Sequence, residues 1–293
     1  MSYMTGGLVM LTEMLPLLPP SERKIAQYII DNPEEAISLT ASELGKRSST
    51  SGAAVIRLCK SLDLKGVQDL KLRIAGDLQK TTDYGLRDIV PNESITSIID
   101  KMTNNSIHTI RETAEMLNTE ELERAVHVLK DAERIHFFGV GASGIIAQDA
   151  QQKFVRIDKT AYAFTDIHMA ATMIANATEK DAVVGVSFSG ETREVAKILK
   201  LANNQNVNTI SLTKYGTSPV SEQADIKLYT SATRESTFRS GATSSRIAQL
   251  QVIDTLFMCV ASMEYDKTVK HLNATRDAVT FLGDCGKGKK RGI

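Results

Sequence analysis

The sequence has no surplus of charge: 35 Lys and Arg stand against 35 Asp and Glu, so the chain is formally neutral at pH 7. Affinity for a polyanion therefore has to come from a local patch and not from the molecule as a whole. Cysteine is scarce as well. The three present, Cys59, Cys259 and Cys285, are far apart and odd in number, which argues against a disulfide framework and fits a reducing cytoplasm. Neither they nor the five scattered histidines show metal-ligand spacing, so no metal is expected. No apolar run approaches the roughly 20 residues that span a bilayer. The start, Met1-Ser2-Tyr3-Met4-Thr5-Gly6-Gly7, lacks the basic and apolar regions of a signal peptide. These absences leave a soluble globular protein with no membrane partner, and 293 residues suffice for two domains.

What the first 80 residues do contain is a string of short helices. Pro19-Pro20-Ser21-Glu22 opens one, with Ser21 as the expected N-cap, and Ile25, Tyr28 and Ile29 form its apolar stripe before Asn32-Pro33 closes it. Thr40 caps the next. A polar turn, Arg47 to Gly52, then leads into a helix whose Val55, Leu58, Cys59 and Leu62 recur at i, i+3, i+4 and i+7. A further helix buries Val67, Leu70, Ile74 and Leu78. Between Glu43 and Lys80 eight basic side chains (Lys46, Arg47, Arg57, Lys60, Lys65, Lys71, Arg73, Lys80) face four acidic ones (Glu43, Asp63, Asp69, Asp77).

A short helix, a polar turn and a second helix with an apolar inside and a basic outside is the layout of a helix-turn-helix. Ser51, Gly52, Ala53 and Ala54 are small enough to let the second helix approach a duplex, and Arg57 and Lys60 are long enough to reach bases or phosphates. An ordinary helical bundle with a solvated basic face fits the same pattern.

Residues 81–94 lack clear periodicity and read as a linker. Beyond them a helix carrying Ile95, Ile98, Ile99 and Met102 begins a second domain that runs to residue 284. A basic tail, 285–293, closes the chain. Strands are expected near 134–139, 161–164, 182–187, 207–212 and 226–229, alternating with helices, which implies a parallel sheet covered on both faces.

Two turns of this second domain carry chemistry. After the apolar run Ala182 to Val186 comes Ser187-Phe188-Ser189-Gly190-Glu191-Thr192, followed by a helical pattern. Three hydroxyls and a glycine at a strand-to-helix turn join unpaired N–H groups and the positive end of a helix dipole, a setting suited to a small anion. Upstream, Ile135 to Phe138 leads into Gly139-Val140-Gly141-Ala142-Ser143-Gly144. Two such turns on one sheet imply a single polyol-phosphate pocket at the strand carboxyl ends. A helix cap, for which one hydroxyl would be enough, is the plainer alternative. The glycines superficially match G-x-G-x-x-G, and Asp158 and Asp166 lie near the spacing a dinucleotide site requires, but Asp158 falls ahead of the expected second strand. Glu235 is either a proton acceptor or sugar partner, or a loop carboxylate. His168 has the same ambiguity at a helix start, and His136 reads as structural.

Together these features resemble the RpiR family of bacterial transcription regulators, a helix-turn-helix joined to a SIS (sugar isomerase) domain. The resemblance is carried by Pro20-Ser21-Glu22-Arg23-Lys24-Ile25-Ala26, Ala54 to Leu62, Lys65 to Lys71, the two glycine-serine turns, and Ser245 to Leu250 with Ile253-Asp254. The wording of the two turns is similar to the MurR branch, which senses N-acetylmuramic acid 6-phosphate. The resemblance implies an α/β protein: an all-α DNA-binding domain over 1–80, and a five-stranded, doubly wound SIS domain over 95–284. It further implies a homodimer or homotetramer acting on operator DNA, most simply as a repressor, with no cofactor and no catalytic residue. Carried over by motif, Ser143, Ser187, Ser189 and Thr192 contact the sugar phosphate, with Gly141, Ala142, Gly190 and Glu235 beside them. A SIS isomerase or etherase using Glu235 as base is the alternative reading.

Overall fold

A computed structural model of the chain describes residues 6–78, 89–231 and 242–284. Residues 81–88 of the expected linker, Glu235, Cys285 and the 285–293 tail lie outside the described residues. The chain divides into two compact units. One comprises Met1–Asn118 with Lys214–Ser218 and Tyr229–Gln251; the other comprises Thr119–Thr213 with Pro219–Leu228 and Val252–Ile293.

The first unit is helical: α1 (Gly7–Met14), α2 (Pro20–Asp31), α3 (Pro33–Ala36), α4 (Ala41–Arg47), α5 (Gly52–Ser61), α6 (Val67–Leu78) and α7 (Ile95–Met116). Ile25, Ile29, Leu44, Val55, Leu58, Leu62, Leu70 and Ile74 fill its core, as their spacing predicts. Thr40 closes a capping box with Glu43 at the start of α4: the Thr40 N–H donates to Glu43 Oε2 at 2.7 Å and the Glu43 N–H to Thr40 Oγ1 at 3.3 Å. The expected cap at Ser21 is corrected. The N-cap of α2 is Pro19, and Ser21 lies inside the first turn because Pro20, whose missing N–H costs nothing at N1, starts the helix. The short α1 has no local start signal. Its opening N–H groups, of Gly6 and Leu8, donate to the Asp77 carboxylate of α6 at 2.6 and 2.8 Å. Tyr215 enters the same core, and its hydroxyl donates to the carbonyl of Leu62, the C-cap of α5 that would otherwise be orphaned.

The second unit begins with α8 (Thr119–Asp131) and alternates through β1 (Arg134–Gly139), α9 (Ala142–Val155), β2 (Thr160–Phe164), α10 (Ile167–Ile174), β3 (Asp181–Val186), α11 (Arg193–Asn204), β4 (Asn208–Lys214) and β5 (Ile226–Thr230). It ends in α12 (Thr243–Met263), whose first turns belong to the first unit, and α13 (Tyr265–Asp284). The sheet has five strands in the order β2-β1-β3-β4-β5, with parallel pairing. Each expected strand lies within two residues of an observed one.

Phe137 on one face packs on Phe154 of α9, with centroids 5.6 Å apart, and Phe154 on Phe257 of α12 at 6.0 Å. Phe138, on the other face, joins Ala170 and Ile174 of α10 and Val195, Ile198 and Leu199 of α11. Register between β1 and β3 is held at their first residues, where the Arg134 guanidinium donates to both oxygens of the buried Asp181 carboxylate at 2.9 and 2.7 Å. Among the described residues no single helix is long and apolar enough to cross a membrane.

His136 is fully buried in β1, stacked on Tyr162 at 5.6 Å and Phe164 at 6.3 Å, and neither ring nitrogen has a hydrogen-bond partner. Burial holds its pKa below the ordinary 6.5, against the pull of Asp181 and with the push of Arg134. The unfolded chain therefore takes up a proton that the folded one refuses. Stability is complete above about pH 6.5 and falls below it, by up to ~1.4 kcal/mol per pH unit. Urea titrations at pH 7 and pH 5 are expected to show this loss, and His136→Phe should remove that component of the slope.

Candidate functional site

The β1–α9 turn is shaped by close backbone approach. A methyl group on Gly139 would meet the Ser143 carbonyl oxygen at 2.6 Å, and one on Gly144 would meet Thr165 Cγ2 at 2.8 Å and the Gly139 oxygen at 2.9 Å. Gly141 sits at the N-cap of α9 with φ 60° and ψ −126°, a conformation side chains rarely adopt, and supplies no side-chain cap. Gly141 is exposed, Ala142 half-buried and Ser143 buried.

The β3–α11 turn is held mostly by backbone hydrogen bonds, two of them to the segment around β4. The Ser187 N–H donates to Leu212 O at 3.0 Å, the Gly190 N–H to Ser187 O at 3.1 Å, and the Val220 N–H to Gly190 O at 3.0 Å. Gly190 has φ 73°, which only glycine adopts freely. Ser187 Oγ and Thr192 Oγ1 share a hydrogen bond of 2.8 Å, and Ser189 Oγ accepts the Glu191 N–H at 3.2 Å. Thr192 is the N-cap of α11 but its hydroxyl accepts no bond from the helix, having turned to Ser187 instead. Ser187 is buried, Thr192 half-buried and Ser189 exposed.

Sheet order brings these turns together. β1 and β3 are neighbours, and Gly139 is paired with Val186, so the two turns leave adjacent strands at the same level. The chain then winds outward in opposite directions, from β1 to β2 and from β3 to β4, which makes the gap between them the switch point where doubly wound sheets bind ligands. Two helix N-termini without side-chain caps, α9 and α11, open there. Helix N-termini and their dipoles, with Ser and Thr hydroxyls beside them, are a setting that suits an anion without a fixed positive charge. His168 lies in the first turn of α10 and is exposed, while Asp166 caps that helix by accepting the Met169 N–H at 2.9 Å.

In the first unit α4 and α5 cross at van der Waals contact. A methyl on Gly45 would lie 2.5 Å from the Ser51 carbonyl carbon and 2.7 Å from the Gly52 nitrogen. Gly52 is less constrained, since its Cβ would stand 3.3 Å from Ser42 Cα, a tight contact but not an impossible one. Ser51 is the N-cap of α5, accepting the Ala54 N–H at 3.3 Å.

Of the six residues expected at the duplex, Ser51, Ala53, Arg57 and Lys60 are exposed and Gly52 is half-buried. Ala54 is corrected: at 1 % exposure it packs in the core beside Val55 and Leu58, one position round the helix from the open face. Ile56 lies on that open face instead. It is 52 % exposed, and the inward positions of Val55, Leu58 and Leu62 already imply that it faces outward. Glu22 had no local signal. Its buried carboxylate accepts the Ser61 hydroxyl at 2.7 Å and lies 3.8 Å from Arg57 Nε, tying α2 to α5.

Comparison with known proteins agrees with both halves of this description. The rpiR-family helix-turn-helix domain matches residues 5–81 and the SIS domain residues 128–259. A Bacillus subtilis protein described as the uncharacterized HTH-type transcriptional regulator YbbH is 50% identical over 278 residues, covering 95% of this chain and 98% of that one. The structure of Vibrio vulnificus NanR complexed with ManNAc-6P is similar at a TM-score of 0.60 and 28% identity, covering 94% of this chain and 98% of that chain. The sugar isomerase domain of a Sphaerobacter thermophilus RpiR transcription factor shares the fold, with a TM-score of 0.56 at 20% identity over 62% of this chain and 99% of that one.

Proposed function

The chain belongs to the RpiR family of helix-turn-helix transcriptional regulators with a SIS domain, and from that premise we propose that it is a sugar-phosphate-responsive repressor. The carrying observation is the pairing of two uncapped helix N-termini and their hydroxyls across the β1/β3 switch point. Ser143, Ser187, Ser189 and Thr192 hold the phosphoryl group in this reading, with the backbone N–H groups of Gly141 and Ala142, while Gly190 shapes the turn beside them. The effector is a phosphorylated amino sugar. N-acetylmuramic acid 6-phosphate is the candidate from the wording of the turns, and the ManNAc-6P bound by Vibrio vulnificus NanR belongs to the same chemical class. A homodimer, or a dimer of dimers, places α5 of each protomer in successive major grooves of a palindromic operator, about 34 Å apart. Effector binding favours one arrangement of the protomers, and a coupling of about 1–3 kcal/mol shifts operator affinity roughly 5–150-fold.

Thermal-shift measurement against a panel of phosphorylated amino sugars tests the pocket. The effector should raise the melting temperature by mass action. Ser189→Ala, at an exposed position where folding cost is small, should weaken effector binding roughly 10–100-fold, the worth of one hydrogen bond to a charged group. Operator binding without effector should stay as it was. An undiminished thermal shift in that variant would remove Ser189 from the pocket.

A further inference from the structure

The outer face of α5 is not uniformly polar. Ala53, Ile56, Arg57 and Lys60, at i, i+3, i+4 and i+7, are all exposed, and at their centre stands a β-branched hydrocarbon with about half its surface in water. Exposed apolar residues are ordinary when scattered singly, and Leu17 and Leu72 of the same unit are exposed to a similar degree. Ile56 differs in its position. It shares a face with small residues on one side and cations on the other, and Ser51 at the N-cap opens the helix.

The neighbouring guanidinium does not cover it. Arg57 leans toward α2, where the buried Glu22 carboxylate sits 3.8 Å from its Nε and is itself held by the Ser61 hydroxyl. The helix cannot easily roll to hide Ile56, because backbone of the α4–α5 turn closes on Gly45 with no room for a methyl group.

In a major groove an aliphatic side chain has one complementary feature, the C5-methyl of thymine; every other edge group is a donor or an acceptor. The nearby exposed Lys46, Arg47 and Lys60 suit the flanking phosphates. We infer that Ile56 is a specificity-determining residue that reads a thymine methyl group in duplex DNA. This inference rests on α5 being the recognition helix. The bound partner is B-form DNA, and the recognised group is the methyl, which uracil lacks.

The test uses the full chain and a duplex selected by it from a randomised library. Each thymine of the selected site is replaced in turn by uracil, which keeps the pairing edge and removes only the methyl. One position per half-site is expected to lose about 3–5-fold in affinity, the worth of one buried methyl. Ile56→Ala should lose a similar or larger factor on the thymine duplex and show no further penalty on the uracil duplex. Alanine is the stronger helix former, so an unfolded α5 is not the cause of such a loss, and an unchanged thermal melt confirms it. Equal uracil penalties in wild type and Ile56→Ala, or none in either while salt-dependent binding persists, overturn the role of Ile56 alone. Absence of any salt-dependent duplex binding by the wild type overturns the DNA reading itself, and this inference with it.

Discussion

Gly45→Ala is expected to abolish operator binding. The added methyl would lie 2.5 Å from the Ser51 carbonyl carbon and 2.7 Å from the Gly52 nitrogen, both backbone atoms of the turn that launches α5. Backbone cannot rotate away as a side-chain tip can, so α5 must shift bodily against α4. Overpacking of this kind costs about 1–3 kcal/mol of stability. The larger effect is on recognition, because base and phosphate contacts along one helix share a single register. Fluorescence anisotropy with a selected duplex should show a loss of at least ~100-fold, the sum of two or more contacts worth 1–3 kcal/mol each.

Gly52→Ala is the internal comparison. Its Cβ would press on Ser42 Cα at 3.3 Å, a tight contact, but alanine regains about 1 kcal/mol of helix propensity. Its folding stability should stay within ~1 kcal/mol of wild type. Equal operator affinity in Gly45→Ala and wild type would show that the α4–α5 crossing does not position the reading face.

Gly139→Ala is expected to do to the effector site what Gly45→Ala does to the operator face. The new methyl would meet the Ser143 carbonyl at 2.6 Å and push the first turn of α9 off the end of β1. In the proposed site that turn supplies the Gly141 and Ala142 N–H groups. Losing one to two charge-assisted hydrogen bonds, at roughly 1.5–3 kcal/mol each, weakens effector binding by about 100-fold or more. Isothermal titration with the phosphorylated amino sugar found by thermal shift checks the affinity. Operator binding in the absence of effector should persist, since no residue of the helix-turn-helix is altered. A normal titration would mean that α9 takes no part in holding the phosphate. Loss of both activities together would instead report misfolding of the sheet, which a urea titration distinguishes.

Much of this architecture is legible in the residues because its signals are local. The five strands announce themselves as apolar, β-branched runs alternating with helical patterns, and the apolar stripe of α5 by its i, i+3, i+4, i+7 spacing. The capping box at Thr40 is complete within four residues. Glycine and hydroxyl clusters at the two strand-to-helix turns mark the proposed anion site. Each depends only on neighbours along the chain, so one segment at a time can be read.

What remained hidden depends on residues distant in sequence. Two glycine-serine turns imply a shared pocket, but nothing local places β3 beside β1 or sets Gly139 level with Val186. The start of α1 is invisible to capping rules because its cap, Asp77, comes from α6. Ala54 is buried through the rotation at which α5 packs onto α2 and α4, an angle that its small side chain does not specify. Periodicity and turn chemistry thus determined the elements and the kind of ligand they invite. Strand order, helix rotation and the glycine-close crossings were decided by tertiary packing, because burial is collective and no single segment carries it.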